Sequence, residues 1–319
     1  MSRGTVDRAL HGRGGIKPET RERILKVAQE MNYRPNGTAR SLAMGRTMSI
    51  GVIVFDLYNN FFSQILNSIT TTARERGYFV YITLTEKSPE QEFECLEHLL
   101  DGRVDGIIIC PINKSGKFVQ RLKETNLPVA TIMNRWEEEH FTHFGIDDRR
   151  AMFEATRYAI SKGYDHIIYF SPPLAYNEHS NIYVQNQRYM GFMDVMQGLG
   201  SNIKKTVIKN RDFDKVSKTI DMNQDKKNII ICSSDIFAME VLSHLKMKGI
   251  RVPYQTGVMG FDGVDITRFL ELKLTTTSIN IKKMGEAAVN ELINQIESGK
   301  PSQGFNQINY EITEGQTVI

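Results

Sequence analysis

The chain has 319 residues, of which 40% are apolar and 24% charged, enough for roughly two to three domains and a substantial buried core. No apolar run approaches bilayer length, and the N-terminus, charged from Arg3, lacks a signal core, so membrane insertion and export are not expected and the cytoplasm is. The net charge of +3 is unevenly spread: residues 1–46 hold ten Lys or Arg against four Asp or Glu, a net of +6, leaving −3 for the remainder. A small basic head on a mildly acidic body is the footprint of a nucleic-acid binder.

In the head, Val6, Ala9 and Leu10 share one face of a short helix, which the glycines after His11 stop. Pro18, favoured at a first helical position, opens a second helix with an apolar stripe of Ile24, Val27, Ala28 and Met31. It ends before Arg34-Pro35, and Asn36 to Ala43 form a third short segment whose large apolar residue is Leu42.

From Ser49 strands alternate with helices, as in a doubly wound parallel sheet. The first set is strand 50–55, helix 61–76, strand 79–84, helix 89–100, strand 106–110, helix 117–124 and strand 129–133. The second set, from Asp165, is strand 166–170, helix 186–197, strand 206–208, helix 214–222, strand 229–232, helix 237–248 and strand 257–261. Helix 281–297 and strand 308–312 close the chain. Two such halves imply two lobes with a ligand cleft between them. The scattered Cys95, Cys110 and Cys232 read as buried free thiols, no Cys/His spacing suits a metal, and no cofactor is expected.

Ligands in open parallel sheets lie beyond the carboxyl ends of strands. The residues there are Asn59-Asn60-Phe61-Phe62, Asn134-Arg135, Asp147-Asp148 before a crossover helix, Arg188 on a helix, Asp212-Phe213, Ser233-Ser234-Asp235, Phe261-Asp262-Gly263 and Asn280. Rings beside amides, carboxylates and arginines suit a sugar, whose C–H faces stack while its hydroxyls donate and accept. Each has a plainer reading. Asn59 can form an Asx turn, Phe62 can be core, Asp147, Asp148 and Asp235 can cap helices, Arg188 can be solvated, and Phe213 can pack under a loop.

The blocks T-V-D-R-A-L, P-E-T-R-E-R-I and N-Y-R-P-N-G-T-A-R-S-L-A closely resemble the head of lactose-repressor (LacI/GalR) family transcription regulators, and the resemblance runs through the whole chain. It implies an α/β fold: two doubly wound parallel-sheet lobes, like a type I periplasmic binding protein, behind a small all-α helix-turn-helix head at residues 1–46. The expected lobes are 47–163 with 279–306, and 164–278 with 307–319. The resemblance implies a recognition helix over Ser2 to Leu10, with Ser2, Arg3, Gly4, Thr5 and Arg8 towards the major groove. It also implies a hinge helix over Thr38 to Ala43, with Thr38, Ala39 and Leu42 and the preceding Asn36 on DNA and Leu42 wedged into the minor groove. For the effector it implies Asn59, Phe61, Phe62, Asn134, Arg135, Arg188, Phe213, Ser234, Phe261 and Asp262, and the strand-end reading adds Asp147, Asp235 and Asn280. Asn134 stands where the family usually has Asp, and Ser234 where Asn is common.

Two departures stand out. Family members begin about fifteen residues earlier with the helix that braces the recognition helix, so an incomplete copy of the head is expected. Lys17 replaces the usual N-cap residue before Pro18. The function implied is a transcription regulator, as a repressor, that binds double-stranded operator DNA as a homodimer and answers to a monosaccharide, with a sugar phosphate also open. The alternative is a sugar-binding protein without DNA binding, in uptake or sensing. No G-x-G-x-x-G after a strand, P-loop or G-x-S-x-G elbow points to an enzyme.

Overall fold

The computed structural model describes residues 2–10, 12, 14–33, 45–136, 141–173, 180–198 and 203–319, with Arg3 described by its backbone. The chain divides into two compact units, Met1–Met48 and Ser49–Ile319.

The first unit holds α1 (Arg3–Leu10) and α2 (Pro18–Glu30). The Ser2 hydroxyl accepts from the Thr5 N–H at 3.2 Å, quenching one of the donors a helix start leaves unpaired. Among its described residues Ala9 and Ile24 are buried, while Val6 and Leu10 are half-buried. Lys17 makes no side-chain cap, as its chemistry dictates, and Pro18 takes the first helical position. The stripe expected on α2 is not buried throughout: Val27 and Met31 are exposed. The hinge residues Asn36, Thr38, Ala39 and Leu42 lie outside the described residues.

The second unit contains two six-stranded sheets. In the first lobe are β1 (Ser49–Val54), α3 (Asn60–Glu75), β2 (Phe79–Leu84), α4 (Pro89–Asp101), β3 (Gly106–Ile109), α5 (Gly116–Glu124), β4 (Val129–Ile132) and β5 (Thr142–Gly145). The chain then passes to the second lobe: α6 (Asp148–Ser161), β6 (His166–Phe170), α7 (Tyr183–Gly198), β7 (Lys204–Ile208), α8 (Phe213–Asp221), β8 (Asn228–Cys232), α9 (Asp235–Met247), β9 (Thr256–Asp262) and β10 (Thr275–Ile279). It returns for α10 (Ile281–Ser298) and β11 (Gly304–Gln307), and crosses a third time for β12 (Tyr310–Thr313). The sheet orders are β11-β5-β4-β3-β1-β2 and β12-β10-β9-β8-β6-β7, so β2 and β7 occupy equivalent edges. Every pairing is parallel except that of β10 with β12. Runs such as Ile50–Val54 and Ile229–Cys232 are apolar throughout because both of their faces are buried under helices.

Three features differ from the expectation. Helix α6 packs against α7, and its Glu154 accepts from the Tyr310 hydroxyl on β12. It therefore belongs with the second lobe, and the first crossing lies near residue 147 rather than 163. Strand β5, Thr-His-Phe-Gly, escapes an apolar pattern because its buried polar groups are paired elsewhere in the fold: the Thr142 hydroxyl donates to the Ser302 carbonyl at 2.8 Å. The terminal strand expected at 308–312 is two strands, one for each sheet. No helix among the described residues is long and apolar enough to cross a membrane.

Candidate functional site

A cavity of about 540 Å³ opens between the carboxyl ends of the two sheets. Of the residues expected there, Asn59, Phe62, Asn134, Arg188, Ser234 and Asp262 line it.

Arg188, on α7, is its most constrained group. The guanidinium is buried, with Nε donating to Asp148 Oδ1 at 2.8 Å and Nη1 to Asp262 Oδ1 at 2.8 Å and to the Ser233 carbonyl at 2.6 Å. Its plane lies over the Phe261 ring at 3.9 Å, a desolvated cation–π contact. Its Nη2 has no hydrogen-bond partner among the described residues. Burial works against the arginine's charge, but Asp262 and Asp148 outweigh it and hold its pKa above the usual value. Burial likewise raises both carboxyls, Asp262 to about 6, against the pull of the guanidinium they share. Two buried carboxylates on one cation leave this corner without surplus positive charge.

The other cations of the lining are also paired. Lys87 lies 3.2 Å from Asp56, and Arg211 is bound to Glu240.

The two lobes are stitched beside the cavity. Asn134, after β4, donates to the Asn181 carbonyl at 3.1 Å and accepts from the Val184 N–H at the start of α7. The Asn181 N–H donates to the Ile112 carbonyl, and its side chain donates to the Arg135 carbonyl. Behind this seam Glu92, buried on α4, accepts from the N–H groups of Ile112 and Asn113 at 2.9 and 2.8 Å. Burial pushes its carboxyl up to about 8, against those two bonds, which favour the carboxylate.

The folded state therefore binds a proton at Glu92 that the unfolded chain, near 4.5, releases. That contribution is complete below about 4.5 and is lost as pH rises towards about 8. Raising the pH from 6 to 9 is expected to lower the melting temperature of the ligand-free protein, and Glu92→Gln is expected to flatten this slope. An equally steep slope in the variant would assign the effect elsewhere.

Seven expected residues do not line the cavity. Phe61 is fully buried in the core, its ring edge-on to Phe62. Arg135 turns away to sit over the Tyr183 and Phe305 rings, with Nη2 donating to the Tyr183 hydroxyl. Asp147 and Asn280 are exposed N-caps, accepting from the Arg150 and Lys283 N–H groups. Asp148, one residue on from Asp147, is the carboxylate that reaches Arg188. Phe213 packs on Phe170 and His244 in the hydrophobic core. Asp235 is fully buried, accepting from the Thr276 hydroxyl and the Val264 N–H, and so braces the turn after Asp262. Phe261 lies beneath Arg188 as its platform. Asn59 and Ser234 both line the cavity and cap helices, accepting from the Phe61 and Phe237 N–H groups.

Sequence reasoning missed Asp56, Lys87, Asn181, Arg211, Phe237 and Glu240, all in the lining. Asp56, Lys87 and Arg211 follow strand ends and were within reach of the same rule. Phe237 and Glu240 lie inside α9 and carried no local signal.

In the head, Ser2, Gly4 and Arg8 are exposed and Thr5 half-buried, while Ala9 faces inward. Thr5 and Arg8, three residues apart on α1, lie on one side of it, and Ser2 immediately precedes its first turn.

Comparison with known proteins matches residues 47–314 to the model described as periplasmic binding proteins and sugar binding domain of LacI family, and residues 1–36 to bacterial regulatory proteins, lacI family. Catabolite control protein A of Staphylococcus epidermidis is 27% identical over 281 residues, spanning 86% of this chain and 83% of its own length. The transcriptional repressor CytR of Escherichia coli is 26% identical, spanning 98% and 91% respectively. Among solved structures, the lac repressor dimer bound to operator and the anti-inducer ONPF superposes with a TM-score of 0.84 at 21% identity, covering 99% of this chain and 95% of that one.

Proposed function

Because the chain belongs to the LacI family, DNA-binding transcription regulators controlled by an effector, we propose that its cleft takes an uncharged sugar and that occupancy sets the affinity of a homodimer for operator DNA. One observation carries the effector reading: Arg188 is held rigidly by two carboxylates and a carbonyl, yet Nη2 is left buried and unpartnered among the described residues of a ligand-sized cavity. A buried donor without an acceptor costs about 1–3 kcal/mol, more when charged, and a sugar hydroxyl would relieve it. Asn59, Asn134, Ser234 and Asp262 would hold further hydroxyls, and Phe62 would meet a sugar's C–H face.

Charge separates a neutral sugar from a sugar phosphate. Each described cation of the lining already faces a carboxylate, and Arg188 faces two. A phosphate entering there meets buried acids rather than free cations, which favours the neutral ligand.

On the DNA side, Ser2, Arg3, Gly4, Thr5 and Arg8 would face the major groove, and Asn36, Thr38, Ala39 and Leu42 would form the hinge. The named repressor CytR supports a repressor reading, and the lac repressor dimer supports a homodimer. Effector binding would favour one arrangement of the lobes and so shift the population competent for operator.

The test is a thermal-shift screen of neutral sugars and their phosphates, followed by operator gel shifts with each hit. A neutral sugar is expected to raise the melting temperature and alter operator affinity, which itself falls steeply with salt as counterions are released. A phosphate ester binding more tightly than its parent sugar would reject the neutral assignment.

A further inference from the structure

The polar seam between the lobes has a reciprocal form. Asn134, after β4 of the first lobe, donates from Nδ2 to the Pro111 carbonyl of its own lobe at 3.2 Å and to the Asn181 carbonyl of the other at 3.1 Å. Its Oδ1 accepts from the Val184 N–H at 3.1 Å, and with two lone pairs can still take a ligand hydroxyl. Asn181, just ahead of α7 in the second lobe, answers in kind: Nδ2 donates to the Arg135 carbonyl of the first lobe, and Oδ1 accepts from the Tyr183 N–H of its own, each at 3.0 Å. The Asn181 N–H donates to the Ile112 carbonyl at 2.6 Å, and Asn113 forms an antiparallel bridge with Ser180. Both asparagines are buried. Their partners fix the amide orientations, since a turned Asn134 amide would set its oxygen against two carbonyls.

Beside the two amides Arg135 spans the lobes. Its guanidinium lies 5.0 Å from the Tyr183 ring of the second lobe and 5.1 Å from the Phe305 ring of β11 in the first, and Nη2 donates to the Tyr183 hydroxyl at 2.8 Å. The seam is thus built of hydrogen bonds and one cation between rings. Such bonds can be exchanged for bonds to water at small net cost when the lobes part, whereas an apolar interface would weld them. The covalent ties between the lobes are three short crossings, near residues 147, 280 and 308, which is the construction of a hinge.

We propose that Asn134, Asn181, Arg135 and Tyr183 form a clasp that keeps the lobes together, so that the resting position of the hinge is set by this chain's own residues before an effector enters. A ligand moves such an equilibrium only by its differential affinity for the two arrangements, and the clasp sets how large that difference must be. The clasp acts whichever molecule fills the cleft. Two cysteines report on it. The Cys110 thiol lines the cavity and is fully buried against the Asn134 backbone, under the clasp. Cys232 is fully buried in the apolar core of the second lobe. Parting of the lobes uncovers the first thiol, while loss of the fold uncovers both.

The experiment is timed alkylation of the full chain by iodoacetamide, without added ligand, with each cysteine quantified by peptide mass spectrometry. In the wild type, half-buried Cys95 is expected to react first, and Cys110 and Cys232 slowly. Asn181→Ala is expected to speed Cys110 by about tenfold, or about 1.4 kcal/mol in the opening equilibrium, and to leave Cys232 unchanged. Tyr183→Phe removes only the oxygen that Arg135 reaches. It is expected to speed Cys110 by about threefold, and it carries the test should Asn181→Ala fail to fold. Equal acceleration of Cys110 and Cys232 would make these residues supports of the fold and overturn the clasp. So would a Cys110 rate that neither variant changes, or a wild-type Cys110 that reacts as fast as Cys95.

Discussion

Arg188→Ala is expected to abolish effector binding and to destabilise the two-lobed unit by about 3–5 kcal/mol, the cost of stranding buried ionic partners. The guanidinium serves both carboxylates, Asp148 on α6 and Asp262 at the end of β9, so its loss leaves two buried acids facing one another. Asp262 adds to this, because its φ of 109° is a conformation an L-residue holds only when its surroundings enforce it. The destabilisation is expected to shrink at low pH, where both acids, already raised by burial, can protonate. Adding Asp148→Asn and Asp262→Asn to Arg188→Met is expected to recover much of the stability, since a charge triad replaced by neutral groups loses its desolvation penalty. Binding should not recover, because the unpartnered Nη2 is gone. Urea denaturation and calorimetry separate the two. An Arg188→Ala protein with wild-type stability and affinity would remove the central support of the effector assignment.

Much of the architecture was legible because burial on both faces of a parallel sheet leaves plain apolar runs, and Ile107 to Ile109 and Ile229 to Ile231 could be little else. What was hidden had other physical causes. Strand β5 hides because its polar residues find partners outside the strand, Thr142 in the Ser302 carbonyl and His143 in the Thr131 hydroxyl. Strand β2 looked like its neighbours, yet Phe79, Tyr81 and Leu84 are exposed, since position in a sheet is not written in a strand. Within the cleft, the rule of reading strand ends found Arg188 and Asp262 but could not sort ligand-facing groups from caps. In this fold each strand end is also a helix start, where unpaired N–H groups demand acceptors. Asp147 and Asp148 show how fine the distinction is. Successive helical residues point about 100° apart, so one caps outward while the next reaches Arg188. The partners of Arg188 lie 40 and 74 residues away, and only the tertiary fold pairs them.

Gly191→Ala is expected to destabilise the protein by about 1–3 kcal/mol, and Gly191→Val by enough to compromise folding. Helical propensity alone predicts the opposite, since alanine is favoured over glycine within a helix by about 1 kcal/mol. Packing decides the sign. A Cβ at Gly191 would stand 2.0 Å from the Arg149 carbonyl oxygen and 3.0 Å from the Phe153 nitrogen, both backbone atoms of α6. Backbone cannot rotate away as a side chain can, so the two helices must part. Their separation reaches the cleft directly, because α6 begins with Asp148 and α7 carries Arg188 one turn before Gly191. A few tenths of an ångström between them strains the 2.8 Å bond that holds the guanidinium in place. The folded fraction of Gly191→Ala should therefore bind the effector more weakly although no ligand-facing atom has changed. Stability is read from urea denaturation, and affinity from titration at a temperature where the variant remains folded. A gain of about 1 kcal/mol, as propensity alone demands, would mean that α6 and α7 pack less closely than the backbone contact at Gly191 requires.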